Sequence, residues 1–434
     1  MGATRTTITP VLKEAYGIAI QESLNSEVKL KKWLEESSKE YDGLRVNYPV
    51  HTARNISVAA RGEGEALATA GYQGLESVYV TAAYIYGQFG VTGPSLKAAG
   101  KNAFATTLAT EMEGLKTDLV FELGRMSYGE GMGILAQCAA SASEGVAAAG
   151  ASQSVYNQFA AGKAGSPGAR FIKAGQTLGH GILGTWTATS YGVSSVQIAP
   201  NSGTTVDYVN VTASSLSTSG TNTFMHVWNA GGKGLEIKGL RAIVDDTTAT
   251  HVYGYTGGMY GGVTLFNVDR NAVLGWNAVV DGNSGVERVV DSYLVQRAMS
   301  SAKKKSGKDI DIMFGEYEVV DAYLDSLRVD RRFAAGASPI GFDGGAEEIS
   351  HNGKVLVKDL QAPYNELFGL NRDALKWYVL QGVEFADDDG DVLKNNSGYD
   401  TFSGYIRAYL QLAPGEMAAP NSCFVIRDIK TRLA

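Results

Sequence analysis

Between residues 45 and 125 the chain runs through three unlike segments, and their order constrains the fold more than any other feature of the 434 residues. Residues 45–90 are lysine-free and read as two β-like arms around a glycine-rich tip, Gly62-Glu63-Gly64-Glu65-Ala66-Leu67-Ala68-Thr69-Ala70-Gly71. The arms are expected at 56–60 and 77–86, the second rich in β-branched and aromatic residues. Val91-Thr92-Gly93-Pro94 then marks a break. Thr92 or Gly93 suits a cap, and Pro94 suits a first helical position, where a missing N–H costs nothing. A long helix is expected from 94 to about 125. Leu96, Phe104, Leu108, Met112, Leu115, Leu119 and Leu123 recur on one face, while Lys97, Lys101, Glu111, Lys116, Glu122 and Arg125 mostly take the rest. At roughly 1.5 Å per residue such a rod spans about 48 Å. The pattern lasts too few heptads for a coiled-coil strand.

A two-stranded ribbon is marginal in water, and its exposed edges invite pairing with another chain. A ribbon standing away from its own core needs a second subunit to bury it. On that reading the contact residues are Arg54, Arg61, Glu63, Glu65 and Tyr72, with the charged tip supplying ionic rim contacts. Residue by residue, an ordinary solvated surface loop reads the same way.

The length suffices for two or three domains or one elaborated one. A hydrophobic share of 44% with 19% charged residues indicates a folded rather than disordered chain. A net charge of −7 argues against tight nucleic-acid binding through a basic surface, though not against a container for DNA. Cys138 and Cys423 sit among small or apolar neighbours, and reduced, buried thiols are the expectation. Residues 1–10 are polar with no signal-like apolar segment, and no apolar run reaches the ~18 residues of a membrane span. The expectation is a soluble protein made in the cytoplasm.

Along the chain, helical spacing marks 12–24 and 27–36, and residues 134–149 are Ala-rich and read as helical. Strands are expected at 205–211, 223–228 and 235–238, and helices at 286–304 and 315–329 around a buried strand at 309–313. Further strands are expected at 354–357, 382–385, 391–393, 405–412 and 422–429, with a helical turn or two over 373–380.

Catalytic patterns are missing. The five histidines, at 51, 180, 226, 251 and 351, lack metal-ligand spacing. Gly129-Glu130-Gly131-Met132-Gly133 follows a helix rather than a strand and has no Lys-Ser/Thr after it, so it reads as a helix stop. Asp387-Asp388-Asp389-Gly390-Asp391 fails the EF-hand pattern, with Phe385 in the first ligand position, and reads as a solvated turn. No catalytic, cofactor-binding or metal residue is assigned, and no cofactor is expected.

In order, these pieces resemble the major capsid proteins of tailed bacteriophages, with the Hong Kong ninety-seven-type fold. The match is carried by Ala60-Arg61-Gly62-Glu63-Gly64 through Ala70-Gly71-Tyr72-Gln73-Gly74, by Tyr84-Ile85-Tyr86-Gly87, and by Val91-Thr92-Gly93-Pro94 before a helix ending near Arg125. Ser127-Tyr128-Gly129-Glu130-Gly131, the run from His351-Asn352-Gly353-Lys354 to Leu370-Asn371, Gln411-Leu412 and Ile429-Lys430-Thr431 complete it. The resemblance implies an α+β fold with an N-terminal arm (1–45), an extended β-hairpin loop (46–90) and a long spine helix (91–127) in a peripheral domain. It further implies a mixed α/β axial domain (128–203 and 250–420), peripheral-domain strands (204–249) and a C-terminal strand (421–434) returning to that peripheral domain. The implied function is structural, not enzymatic. Pentamers and hexamers would close an icosahedral head around packaged double-stranded DNA, a virion component assembled in the host cytoplasm. Implied partners are copies of itself, a scaffolding protein, a portal and a cement protein, with no membrane. Some family members lock their shells with a lysine–asparagine bond from the extended loop; no lysine lies between Lys39 and Lys97, so non-covalent closure is expected. The alternatives are an encapsulin-like nanocompartment shell, which shares the fold, and a hydrolase acting on polymers.

Overall fold

The protein was analysed as a computed structural model. It describes residues 28–53, 55, 57–66, 69–93, 101–138, 153–157, 171–182, 185–197, 207–211, 225–229, 232–247, 250–251, 255–256, 264–283, 286–331, 349–387, 393–395, 398–416 and 419–431. The expected helix at 12–24 and the acidic turn at 388–391 lie outside these residues, as do Arg54 and Leu96. So do the side chains of Phe104 and Leu108, although their backbone is helical.

The break-then-helix signal resolves into a 28-residue helix, Lys101–Tyr128, about 42 Å long. It stops where Gly131 and Gly133 take positive φ, and residue 239 comes so close to it that only glycine fits: a Cβ there would collide with the carbonyl oxygens of Ser127 and Met126. Just upstream, Ala83–Thr92 pairs antiparallel with Thr401–Pro414, which also pairs with Leu375–Phe385. The alternating burial of Ala83–Thr92 sends Ile85, Phe89 and Val91 into the core and Tyr84 and Tyr86 outward.

A second, mixed sheet runs in the order Val279–Asp281, Phe424–Ile426, Leu367–Leu370, Ile312–Gly315, Lys354–Lys358, Ile349–His351. Its two faces bury different cores. Met313, Leu356, Leu367, Phe424 and Ile426 face the helices Ser292–Ser306 and Tyr317–Arg331. Phe314, Phe368, Leu370 and Val425 face the larger core. There Trp33 of the short helix Lys29–Trp33 meets Phe314 edge-on at 6.0 Å, and Tyr128 lies 6.0 Å from Phe368. Phe424 crosses the strand partner Gly369 so closely that a side chain there would collide with its ring. A third, antiparallel sheet holds Ile134–Cys138, Met225–Asn229, Thr177–Ile182, Thr185–Gln197, Asp207–Val211 and Gln153–Asn157 in that order.

Several expectations change. Residues 134–138 form a strand, not a helix, because backbone pairing with Met225–Asn229 outweighs alanine's helical preference. Residues 375–380 belong to an 11-residue strand for the same reason, with only Arg372–Ala374 helical. Residues 235–238 are not a strand, and the short helix Leu240–Ile243 follows. The helix expected at 286 begins at Ser292, capped by Asp291, whose carboxylate accepts from the Leu294 N–H at 2.7 Å. Of the face that its spacing suggests, Val289, Val290, Tyr293 and Leu294, Val290 and Leu294 are buried while Val289 and Tyr293 are exposed; Val295, Ala298 and Ala302 complete the buried side. Sheet membership also cuts across the expected domain boundaries. The C-terminal strand Phe424–Ile426 lies inside the mixed sheet rather than with the strands of 204–249. Those strands pair with 134–138 and 153–157, and the strands of 375–414 join Ala83–Thr92.

Candidate assembly surface

The ribbon pairs Arg45–Ala53 with Gly74–Thr81, from Arg45 opposite Thr81 to Ala53 opposite Gly74. The first arm therefore lies upstream of the expected 56–60, and Pro49 sits within it, as an outer strand tolerates. The expected second arm divides at Ala82, so the ribbon ends at Thr81 and residues 83–90 belong to the body.

Burial is graded along the ribbon. At the root Val46, Tyr48, Val78 and Val80 are buried in the main core. Tyr48 stacks on Tyr378 at 5.7 Å and its hydroxyl donates to the Pro414 carbonyl at 2.5 Å. Burial, with Tyr378 beside it, holds the Tyr48 phenol far above its ordinary pKa, and Tyr378 is itself pushed up to about 12 by burial. Both therefore stay neutral. On the second strand the Tyr79 N–H donates to the Phe266 carbonyl at 3.0 Å. Two residues farther out, Asn267 Nδ2 donates to the Ser77 carbonyl at 3.2 Å, and beyond that exposure rises. Leu75 is 64%, Val58 88% and Tyr72 89% exposed.

Local hydrogen bonds hold this distal part in shape. Asn55 Nδ2 donates to the Gly71 carbonyl at 3.0 Å while its Oδ1 accepts from Ser57 N–H and hydroxyl, and His51 pairs with Gln73 across the strands. At the tip, Gly64 is left-handed and the Gly62 N–H donates to the Glu65 carboxylate at 3.0 Å. Of the charged tip residues, Glu65 is thus engaged within its own turn, while Arg61 and Glu63 are exposed. Asn55 and the His51–Gln73 pair were not singled out from sequence; an Asn two residues before a Ser is the turn signal that marks the former.

On the long helix Met112, Leu119 and Leu123 are buried, and Leu115 is half-buried against Gly87, lining a cleft of about 440 Å³ with Ile85 and Met126. Arg125, expected on the polar side, is buried. It pairs with Glu236 at 2.5 Å and Glu122 at 2.9 Å; burial works to lower its pKa, and the two carboxylates outweigh that and raise it. A second buried network follows. Arg241 meets Glu366 at 3.1 Å and Glu130 at 3.9 Å, and Arg427 meets Glu366 at 3.4 Å and Asp245 at 3.3 Å. Burial raises the pKa of Glu130 and Glu366 against the opposing pull of the arginines. Together these charges join the end of the long helix, residues 236–245, the 366 turn and the C-terminal strand.

Among the described residues, no three His, Cys, Asp or Glu side chains gather as a metal site, and no helix is long and apolar enough to cross a membrane. Cys423 is a buried free thiol, with burial pushing its pKa up to about 11.

The solved structures to which this fold is similar are mostly phage capsid proteins. The chain aligns with the capsid asymmetric unit of cyanophage A-1(L) over 93% of both chains, with a TM-score of 0.52 at 14% identity, which shows a shared fold. The capsid of an empty GTA particle aligns over 93% of this chain and 90% of that one, with a TM-score of 0.47 at 7% identity. The holo-SrpI encapsulin complex of Synechococcus elongatus covers 36% of this chain and 54% of that one, with a TM-score of 0.27 at 12% identity. No family model and no curated protein sequence matches the chain.

Proposed function

We propose that this chain is a major capsid subunit of a tailed bacteriophage. It assembles as pentamers and hexamers into an icosahedral head around packaged double-stranded DNA, and its role is structural rather than catalytic. The observation that carries this reading is the graded ribbon: a root locked into the subunit's own core and a distal half whose apolar residues are exposed among the described residues. The fold shared with a cyanophage capsid subunit supports it. Residues 46–81 serve as the extended loop lying on a neighbouring copy, with Arg61, Glu63 and Tyr72 at the contact and Arg54 alongside. Residues 1–45 serve as an N-terminal arm. The helix Lys101–Tyr128 serves as the spine, with Phe104, Leu108, Met112, Leu115, Leu119 and Leu123 as its core face and Leu96 preceding it in the chain. A separate scaffolding protein, a portal and a cement protein complete the head, which forms in the host cytoplasm.

Electron microscopy of the purified chain, alone and with its scaffolding protein, tests the reading. Uniform hollow particles that protect double-stranded DNA from nuclease inside the infected host are expected. A chain that stays monomeric under both conditions overturns the proposal, and particles loaded with protein instead of DNA favour the encapsulin alternative.

A further inference from the structure

His351 ends the edge strand of the mixed sheet, next to a turn at Asn352 and Gly353, both with positive φ. Its ring is nearly buried and touches both helices that cover that face. Nδ1 lies 2.7 Å from the hydroxyl of Tyr323, on the helix Tyr317–Arg331. Nε2 lies 3.2 Å from Oε1 of Gln296, on the helix Ser292–Ser306. The Gln296 amide is oriented by its other contacts: its Nε2 donates to Ser300 Oγ at 3.3 Å, and its Oε1 also accepts from Asn352 Nδ2 at 2.5 Å. An oxygen facing Nε2 requires that Nε2 carry the proton, so Nδ1 is the bare nitrogen and Tyr323 donates to it.

We infer that His351 is a proton-sensitive clasp, tying both helices to the sheet edge when neutral and releasing the Tyr323 helix when protonated. A proton on Nδ1 turns an acceptor into a donor and places it against a hydroxyl already donating there. Tyr323 must then give up the bond it donates to the ring and turn its hydrogen toward its other neighbour, Ser292. The charged and titratable groups nearby do little to welcome the imidazolium. Lys354, opposite His351 in the strand pair, is paired with Asp311 at 3.9 Å; Asp291, which acts on Tyr323, is already engaged as a helix cap; and Tyr323 is kept neutral by burial. Burial accordingly lowers the His351 pKa. The sign follows: the neutral form is favoured in the folded chain, so stability from this site is whole above the ordinary histidine range and falls as pH drops through it. The clasp does not depend on the shell reading.

Amide exchange by mass spectrometry on the full unassembled chain, at about pH 7.5 and about pH 5.5 on either side of the ordinary histidine pKa, tests it. With rates corrected for intrinsic exchange, protection in 317–331 is expected to fall several-fold at the lower pH while 292–306, still held through Gln296, and Lys101–Tyr128 keep theirs. H351Q is expected to remove the pH response, and Tyr323→Phe to loosen 317–331 at both pH values. Unchanged protection of 317–331 across the range in the wild-type chain overturns the inference, as does a full response retained in H351Q. Should H351Q fail to fold, the wild-type comparison and Tyr323→Phe still decide.

Discussion

Truncating the ribbon at two heights separates folding from assembly. In the lone subunit Tyr72 is 89% exposed, so Tyr72→Ala removes almost no packing and should change folding stability by no more than about 0.5 kcal/mol. Tyr48 is fully packed, and Tyr48→Ala empties an aromatic core site, which costs about 3–5 kcal/mol. Assembly should rank them by a different rule. Burying roughly 150 Å² of the Tyr72 side chain on a neighbour, at about 25 cal/mol/Å², is worth up to about 4 kcal/mol; incomplete burial brings this to about 2 kcal/mol. That is about a thirty-fold loss in affinity for each ribbon contact, repeated at every contact in a shell. Melting of the unassembled chain reads the first quantity, and the threshold concentration for particle formation by light scattering reads the second. If Tyr72→Ala melts as low as Tyr48→Ala, the distal ribbon packs on its own body and the reasoning fails. It fails equally if the assembly threshold does not move.

Arg241→Met should cost about 3–5 kcal/mol in urea unfolding followed by the fluorescence of buried Trp276 and Trp377, because it leaves Glu130 without its near partner and Glu366 with one arginine. Lys173→Ala, which opens an exposed pair with Asp118, should cost under about 1 kcal/mol. The Arg241→Met penalty should shrink toward acid pH. Carboxylates whose folded pKa is raised contribute stability below the ordinary carboxylate range and lose it as pH rises through the folded value. A penalty independent of pH contradicts the assignment. Gly239→Ala should lower the melting temperature, at a cost of about 1–3 kcal/mol, since both atoms its methyl meets are backbone carbonyl oxygens that cannot swing aside. On a denaturing gel, mature particles should run as monomer without a covalent ladder, because the ribbon carries no lysine.

The long helix was legible because its signal is local: a stop at Gly93-Pro94, a steady apolar step, and glycines after Tyr128. The ribbon was legible in kind but not in position. Pro49, with His51 and Arg45 around it, hid the true first arm, although an outer strand can leave a proline's missing N–H facing away from its partner. Residues 375–380 misled for another reason: Leu375, Val379 and Leu380 keep helical spacing, and only the pairing of Leu375–Phe385 with Thr401–Pro414 makes them a strand. The charge networks left no trace in the sequence at all. Arg125, Glu130, Arg241, Glu366 and Arg427 are spread over three hundred positions, and each alone looks like a surface residue.

That invisibility bears on what the networks do. A buried ion pair contributes little net stability compared with apolar packing, yet a misaligned one is heavily penalised, because each charge is left without water or partner. The end of the long helix and residues 236–245 are thereby held to one placement against the mixed sheet, where the 366 turn and the strand ending at Arg427 lie side by side. The ribbon root is fastened to this same body through Tyr48 and the Pro414 carbonyl, whereas the side chains of Val58, Tyr72 and Leu75 are exposed. A subunit built this way confines adaptability to its outermost segment. Contacts of differing angle around a closed shell can then be met by the distal ribbon while the charged junction, which tolerates no misfit, stays the same in every copy.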